Sequence, residues 1–165
     1  MDLRSNPADN HIDVVNTHTK NLNEIFETIK AKGARMNLVI GDCCNSVIDF
    51  KRLYSSDKKV VEKKFIPGNM DFCKKLFNGI GSSVIVAVAK KGQHAISDEA
   101  IGSLFTYSLL TKLKDQITSN APIKDMSWES LLNLAKKETL KQSATYDDDT
   151  GNPSRQESIY LVEKK

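Results

Sequence analysis

The residues best suited to chemistry in this 165-residue chain are Asp42-Cys43-Cys44-Asn45-Ser46. They follow directly on Met36-Asn37-Leu38-Val39-Ile40-Gly41, a short apolar run of strand length. In parallel sheets, functional groups gather just past the carboxyl ends of strands, where backbone amides and helix N-termini converge. A cysteine placed there is partly exposed and close to amide dipoles that favour thiolate, the nucleophilic form. An acid two residues before Cys44 would face the same pocket. Spacing alone leaves a second reading open: a small cysteine pair packed at a strand end, with Asp42 solvated or capping.

Other reactive groups form no pattern of comparable sharpness. The three cysteines, Cys43, Cys44 and Cys73, are odd in number and two are adjacent, which argues for reduced thiols over a disulfide framework. No CxxC pair or His-rich stretch supports a zinc site, and His11, His18 and His94 are scattered. Asp147-Asp148-Asp149 is the one cluster that would attract calcium, and three loop acids bind it weakly without a defined cage. No cofactor is expected. Residues 51–75 hold eight Lys/Arg against three Asp/Glu and read as a solvated basic loop. With a net charge of only +3 and few interleaved aromatics, a nucleic-acid surface is not expected.

The elements that must position the cysteine loop follow from periodicity. Residues 1–20 are polar and read as an irregular lead-in. Asn21 can cap a helix carrying Leu22, Ile25, Phe26 and Ile29 on one face, with Glu24 as in a capping box and Gly33 as a left-handed stop. A helix followed by the apolar Met36–Gly41 run is the pattern of a parallel α/β unit whose strand is buried on both faces. Met70–Phe77 reads as a short helix and Ser82–Ala89 as a second central strand. A helical stripe of Ile101, Leu104, Phe105, Ser108, Leu109 and Lys112 runs to about Thr118. Ser127 caps a last helix through Leu140, with Trp128, Leu131, Leu132 and Ala135 inward. Residues 143–157 read as an exposed loop before a final strand, Ser158–Glu163.

Composition sets the outer bounds. With 39% hydrophobic and 27% charged residues, this is one globular α/β domain over 1–165. No apolar run reaches the ~20 residues that span a bilayer, and the polar start has no apolar core of a signal peptide. A cytoplasmic location without membrane partners is the expectation.

The cysteine segment resembles the nucleophile strand and loop of the caspase-like cysteine peptidases, closest to the metacaspase branch and its bacterial relatives. There the loop reads Asp-Ser/Cys-Cys-His-Ser-Gly. Val84-Ile85-Val86-Ala87-Val88-Ala89, Gly92-Gln93-His94-Ala95 and Gly102-Ser103-Leu104-Phe105-Thr106-Tyr107-Ser108-Leu109-Leu110 are similar to the small-subunit half of these enzymes. In that half a strand and a Gln-x-Ala turn lead into a Phe-Thr-containing helix. Gln156–Val162 resembles the last strand of the bacterial members, so the likeness runs over roughly residues 21–163. It implies a partial caspase–hemoglobinase three-layer fold, a mostly parallel sheet with flanking helices. It further implies Cys44 as the attacking thiol on protein or peptide substrates, and Asp42 as the acid at the base of an S1 pocket for Lys or Arg. Residues 51–80 would correspond to the inter-subunit loop, in which Lys58-Lys59 and Lys63-Lys64 are candidates for self-cleavage.

The chain departs from the family in two places. Asn45 stands where the common loop has His, and Val47 where it has Gly. The family's general base is a histidine about 50 residues before the cysteine, and only 43 residues precede Cys44. His11 and His18 lie in polar sequence, unlike a histidine ending an apolar strand. The expectation is a fragment of a caspase-like domain that begins past its histidine, with an impaired site and an exposed sheet edge that invites association. The competing class is a pseudo-peptidase that keeps the fold as a non-catalytic interaction module. A flavodoxin- or Rossmann-like ligand-binding domain is disfavoured, because no Gly-rich loop follows a strand.

Overall fold

The computed structural model describes residues 21–42, 70–78, 81–98, 100–118, 125–148 and 150–164. Strands β1 (Met36–Gly41), β2 (Ser82–Ala87) and β5 (Ile159–Lys164) form one sheet in the order β1-β2-β5. A short hairpin, β3 (Ser97–Asp98) with β4 (Gly102–Ser103), stands apart. The helices are α1 (Leu22–Lys30), α2 (Met70–Cys73), α3 (Leu104–Thr118) and α4 (Trp128–Ser143). A π-helical turn, Lys74–Asn78, extends α2.

β1 and β2 are parallel, as the helix-then-apolar-strand pattern predicts, with Met36 opposite Ser82 and Gly41 opposite Ala87. β5 runs antiparallel to β2, pairing Ile159 with Ala87 and Lys164 with Ser82. Among the described residues the sheet is therefore mixed, with one ladder of each kind, which corrects the expectation of a mostly parallel sheet. Strand direction depends on the path of the connection, and β-branched content carries no record of it.

The main core lies on one sheet face. Val84 and Val86 of β2, with Val88 just beyond it, meet Phe72 and Leu76 from the α2 segment, Phe105 and Leu109 of α3, and Trp128, Leu131, Leu132 and Ala135 of α4. All four residues expected inward on α4 are buried, and Ser127 caps it in a reciprocal box with Ser130. Trp128 uses its one polar atom, Nε1, to donate to the Leu76 carbonyl at 3.0 Å, and Phe77 meets its ring edge-on.

On the opposite face α1 packs Phe26 and Leu22 over Val39 and Ile85. Asn21 accepts from the Asn23 amide, and Gly33 adopts φ +73° at the stop. Leu22 packs directly over Gly41, where a Cβ would come within 2.8 Å of Leu22 Cδ2 and displace the end of that side chain. Coverage by α1 is partial. Ile159 and Leu161, on this face of β5, are about half exposed. On the main-core face Leu38, opposite Val84, is 39% exposed, so the expectation that Met36–Gly41 is buried on both faces fails there. Ile25 and Ile29, placed by periodicity on the buried stripe of α1, are likewise more than a third exposed.

The 143–157 segment is also a correction. Its middle is open, but Ser143, Tyr146, Ser154, Gln156 and Glu157 are buried. Tyr146, Gln156 and Glu157 meet partners 48 to 68 residues away in the chain, a long-range pairing that local polarity misreads as solvent exposure. Residues 1–20 and most of the basic 51–80 stretch, with both lysine pairs, lie outside the described residues. No helix among the described residues is long and apolar enough to cross a membrane.

Phe105 is fully buried in the main core, whereas Leu110, one turn on, is 58% exposed. Phe105→Ala should cost about 3–5 kcal/mol of unfolding free energy. Leu110→Ala should cost less than about 0.5 kcal/mol. Urea denaturation of the two variants beside the parent checks the contrast.

Candidate functional site

The carboxyl ends of β1 and β2 stop side by side. The Val88 amide donates to the Gly41 carbonyl at 3.2 Å, so the residue after β1, Asp42, leaves the sheet beside the turn that follows β2. Asp42 is exposed, and its carboxylate meets the start of α3. Ser103, the residue before that helix, donates from Oγ to Asp42 Oδ1 at 2.6 Å. Thr106, one turn in, donates from Oγ1 to Oδ2. One hydroxyl thus reaches each carboxylate oxygen from the helix side. A negative group at a helix N-terminus is also favoured by the helix dipole. Each oxygen retains lone-pair capacity for a further donor. Cys43 and Cys44 lie outside the described residues, so of the sequence-predicted pair Asp42 alone is placed.

Buried polar side chains set where α3 begins. Gln156, fully buried, accepts from the Ile96 amide through Oε1 at 2.9 Å and donates through Nε2 to the Val88 carbonyl at 3.0 Å. Its own amide donates to Ser143 Oγ. Gln93 answers from the other side by accepting the Glu157 amide at 2.8 Å. The Ile96 carbonyl then receives the Leu104 amide, the first of α3. A continuous chain of bonds thus runs from the end of β2, through Gln156 and Ile96, to the helix whose hydroxyls hold Asp42. Ile96, Leu104 and Tyr146 form a small apolar cluster under it, and Tyr146 Oη donates to Asp98 at 3.0 Å.

Glu157 closes the frame. Lys90, in the turn after β2, bonds its Oε2 at 2.7 Å, and Arg155 bonds its Oε1 at 2.5 Å. The Lys90 bond, then the Arg155 bond, draws the Glu157 carboxyl from its ordinary 4.5 down to about 2. Next to it, a cleft of about 330 Å³ opens between the 92–96 turn and the 148–155 loop. Gln93, His94, Asp148, Thr150, Ser154 and Arg155 are among its walls, and Asp42 is not. Asp148 is occupied locally: Thr150 donates to its carboxylate from both hydroxyl and backbone, and Asn152 from its amide. The Thr150 hydroxyl bond leads in holding the Asp148 carboxyl below its ordinary range. Among the described residues, no group of three or more His, Cys, Asp or Glu side chains is arranged to hold a metal ion, Asp147 and Asp148 included. Cys73, the described cysteine, is a free, half-buried thiol against the main core.

Ser103, Thr106 and Gln156 are the site-shaping residues that sequence reasoning left without a role. Two hydroxyls three apart at a helix start were a visible signal for the first two. The partner, about 60 residues upstream, was not. Compared with known proteins, the chain matches no family model, no curated protein and no solved structure.

A depressed carboxyl pKa contributes stability that is fully present above the unfolded value and is lost as pH falls through the folded one. For Glu157 the window runs from about 4.5 down to about 2. Chemical denaturation from pH 6 to pH 2.5 should therefore show stability falling with acid, and Glu157→Gln should flatten that fall while lowering stability at pH 6. Gln156→Ala should cost about 1–3 kcal/mol at every pH, because it strands a buried amide and a buried carbonyl.

Proposed function

We propose that this chain is a cysteine endopeptidase domain of the caspase-like class, in which Cys44 attacks the peptide carbonyl and Asp42 receives a basic P1 side chain. One observation carries the reading. The strand leading to Asp42-Cys43-Cys44 and the strand leading to the Gln-x-Ala turn are parallel neighbours ending at one level, with the Phe-Thr helix starting against Asp42. The resemblance requires these three segments at one end of one sheet. It also draws on Gln93 and Gln156, quoted for the likeness, which bond across that end of the sheet.

The chemistry is acyl transfer. The Cys44 thiolate adds to the carbonyl carbon and the oxyanion draws on backbone amides, that of Cys44 among them. Collapse of the tetrahedral adduct expels the amine, which takes up a proton, and water then hydrolyses the thioester. An acid at Asp42 favours Lys or Arg at P1 by charge. No histidine of the chain is assigned as the base. His94 lines the cleft with Asp148, and His11 and His18 lie outside the described residues. Turnover by this chain alone is accordingly expected to be slow, since loss of a triad member costs orders of magnitude. The second reading, a non-catalytic module that associates through its sheet, draws on the exposure of Leu38, Ile159 and Leu161.

Covalent capture tests the proposal without requiring turnover. An acyl-Arg chloromethyl ketone loses chloride to a thiolate, and peptide mapping locates the bond. The expected result is modification at Cys44, absent in Cys44→Ala, and about tenfold slower with the acyl-Asp reagent. Equal rates for the two reagents, or modification confined to Cys73, would contradict the peptidase reading; equal rates with concentration-dependent self-association would favour the second.

A further inference from the structure

The cleft of about 330 Å³ between the turn after β2 and the loop after α4 has no part in the proposed peptidase chemistry. Three polar groups on its wall are each fixed by one end. Asp148 takes three donors on Oδ1, the Thr150 amide, the Thr150 hydroxyl and the Asn152 amide, and its Oδ2 accepts none from the described residues. Arg155 is pinned through Nε and Nη2 to Glu157 Oε1 at 2.5 Å, which leaves Nη1 for another acceptor. Gln93 commits Oε1 to the Glu157 amide at 2.8 Å and keeps the two hydrogens of Nε2. A fourth group on the wall points to an occupant independently. Ser154 is 7% exposed, and its Oγ is buried with no hydrogen-bond partner among the described residues. A hydroxyl in that state is costly unless something from outside the chain bonds it.

We infer that this cleft binds a small zwitterion of the free α-amino acid type, its ammonium on Asp148 Oδ2 and its carboxylate on Arg155 and Gln93. The signs of the wall groups dictate the assignment. A lone anion would meet the Asp148 carboxylate, which the Thr150 hydroxyl bond, above its other contacts, keeps ionised. A lone cation would meet Arg155, which is always charged. One molecule carrying both charges pairs with both, and the Ser154 hydroxyl serves either end. Pro153 and Ile96 supply the apolar part of the wall, and the volume is at the small end for a ligand cavity, so a short aliphatic side chain fits best. The inference stands apart from the peptidase reading, since neither Asp42 nor Cys44 takes part.

The test is an amide NMR titration of the full chain with L-valine, with isobutylamine, which lacks the carboxylate, and with isovalerate, which lacks the amine. L-Valine should bind about tenfold more tightly than either fragment, with shifts centred on residues 93, 148, 154 and 155. Asp148→Asn keeps an Oδ1 for the same three donors and puts an amide donor where Oδ2 stood. It should weaken L-valine about fivefold or more and leave isovalerate no weaker. Ser154→Ala removes only the buried hydroxyl and should weaken L-valine about threefold. Equal binding of the three compounds, shifts centred elsewhere, or an unchanged L-valine affinity in either variant would overturn the inference. Equally tight binding of Nα-acetyl-valine methylamide, which carries neither charge, would overturn it too and mark the cleft as a groove for peptide backbone. Amide spectra of each variant establish that the fold is retained, so a lost affinity is read against a folded protein.

Discussion

The organisation of this domain depends on β1 and β2 lying parallel and ending together. Register makes Gly41 and Ala87 partners, and the Val88 amide carries the ladder one step further to the Gly41 carbonyl. The chain therefore leaves both strands at one level and on one edge of the sheet. A parallel pair cannot be closed by a tight turn, so long connections must gather there. Whatever the loop after β1 does, it does beside the turn after β2 and against the start of α3.

What gathers there is held mostly by polar side chains. Gln156 and Gln93 cross-link the segment before β5 to the turn after β2, and Glu157 is paired to Lys90 and Arg155. Bonds of this kind add little net stability each, but their loss inside a protein is costly. They act as a register for the loops, and the apolar core beneath supplies the driving force. Asp42 extends that network to its exposed margin, where Ser103 and Thr106 each donate to one carboxylate oxygen.

Much of the fold was legible before any coordinates. The unbroken apolar runs at Met36–Gly41 and Val84–Val86 mark strands, and the stripe Leu104, Phe105, Ser108, Leu109 marks the buried side of α3, because burial of apolar faces leaves a periodic trace. Ser127 was readable as a cap for the same local reason. The antiparallel course of β5 and the edge exposure of Leu38 leave no such trace, since both depend on which strands lie alongside. The buried polar groups of Tyr146, Gln156 and Glu157 read as loop because their partners lie across the molecule. The candidate site divides in the same way. Asp42 past a strand end is a local pattern, whereas its grip by Ser103 and Thr106 joins residues 61 and 64 positions apart.

A crystal structure of the chain with an arginyl chloromethyl ketone bound to Cys44 tests the account most directly. The expected result is a guanidinium within hydrogen-bond distance, about 2.8 Å, of the Asp42 carboxylate. A guanidinium standing free in solvent away from Asp42, or a Cys44 sulfur sealed beneath apolar side chains where no reagent reaches it, would contradict it.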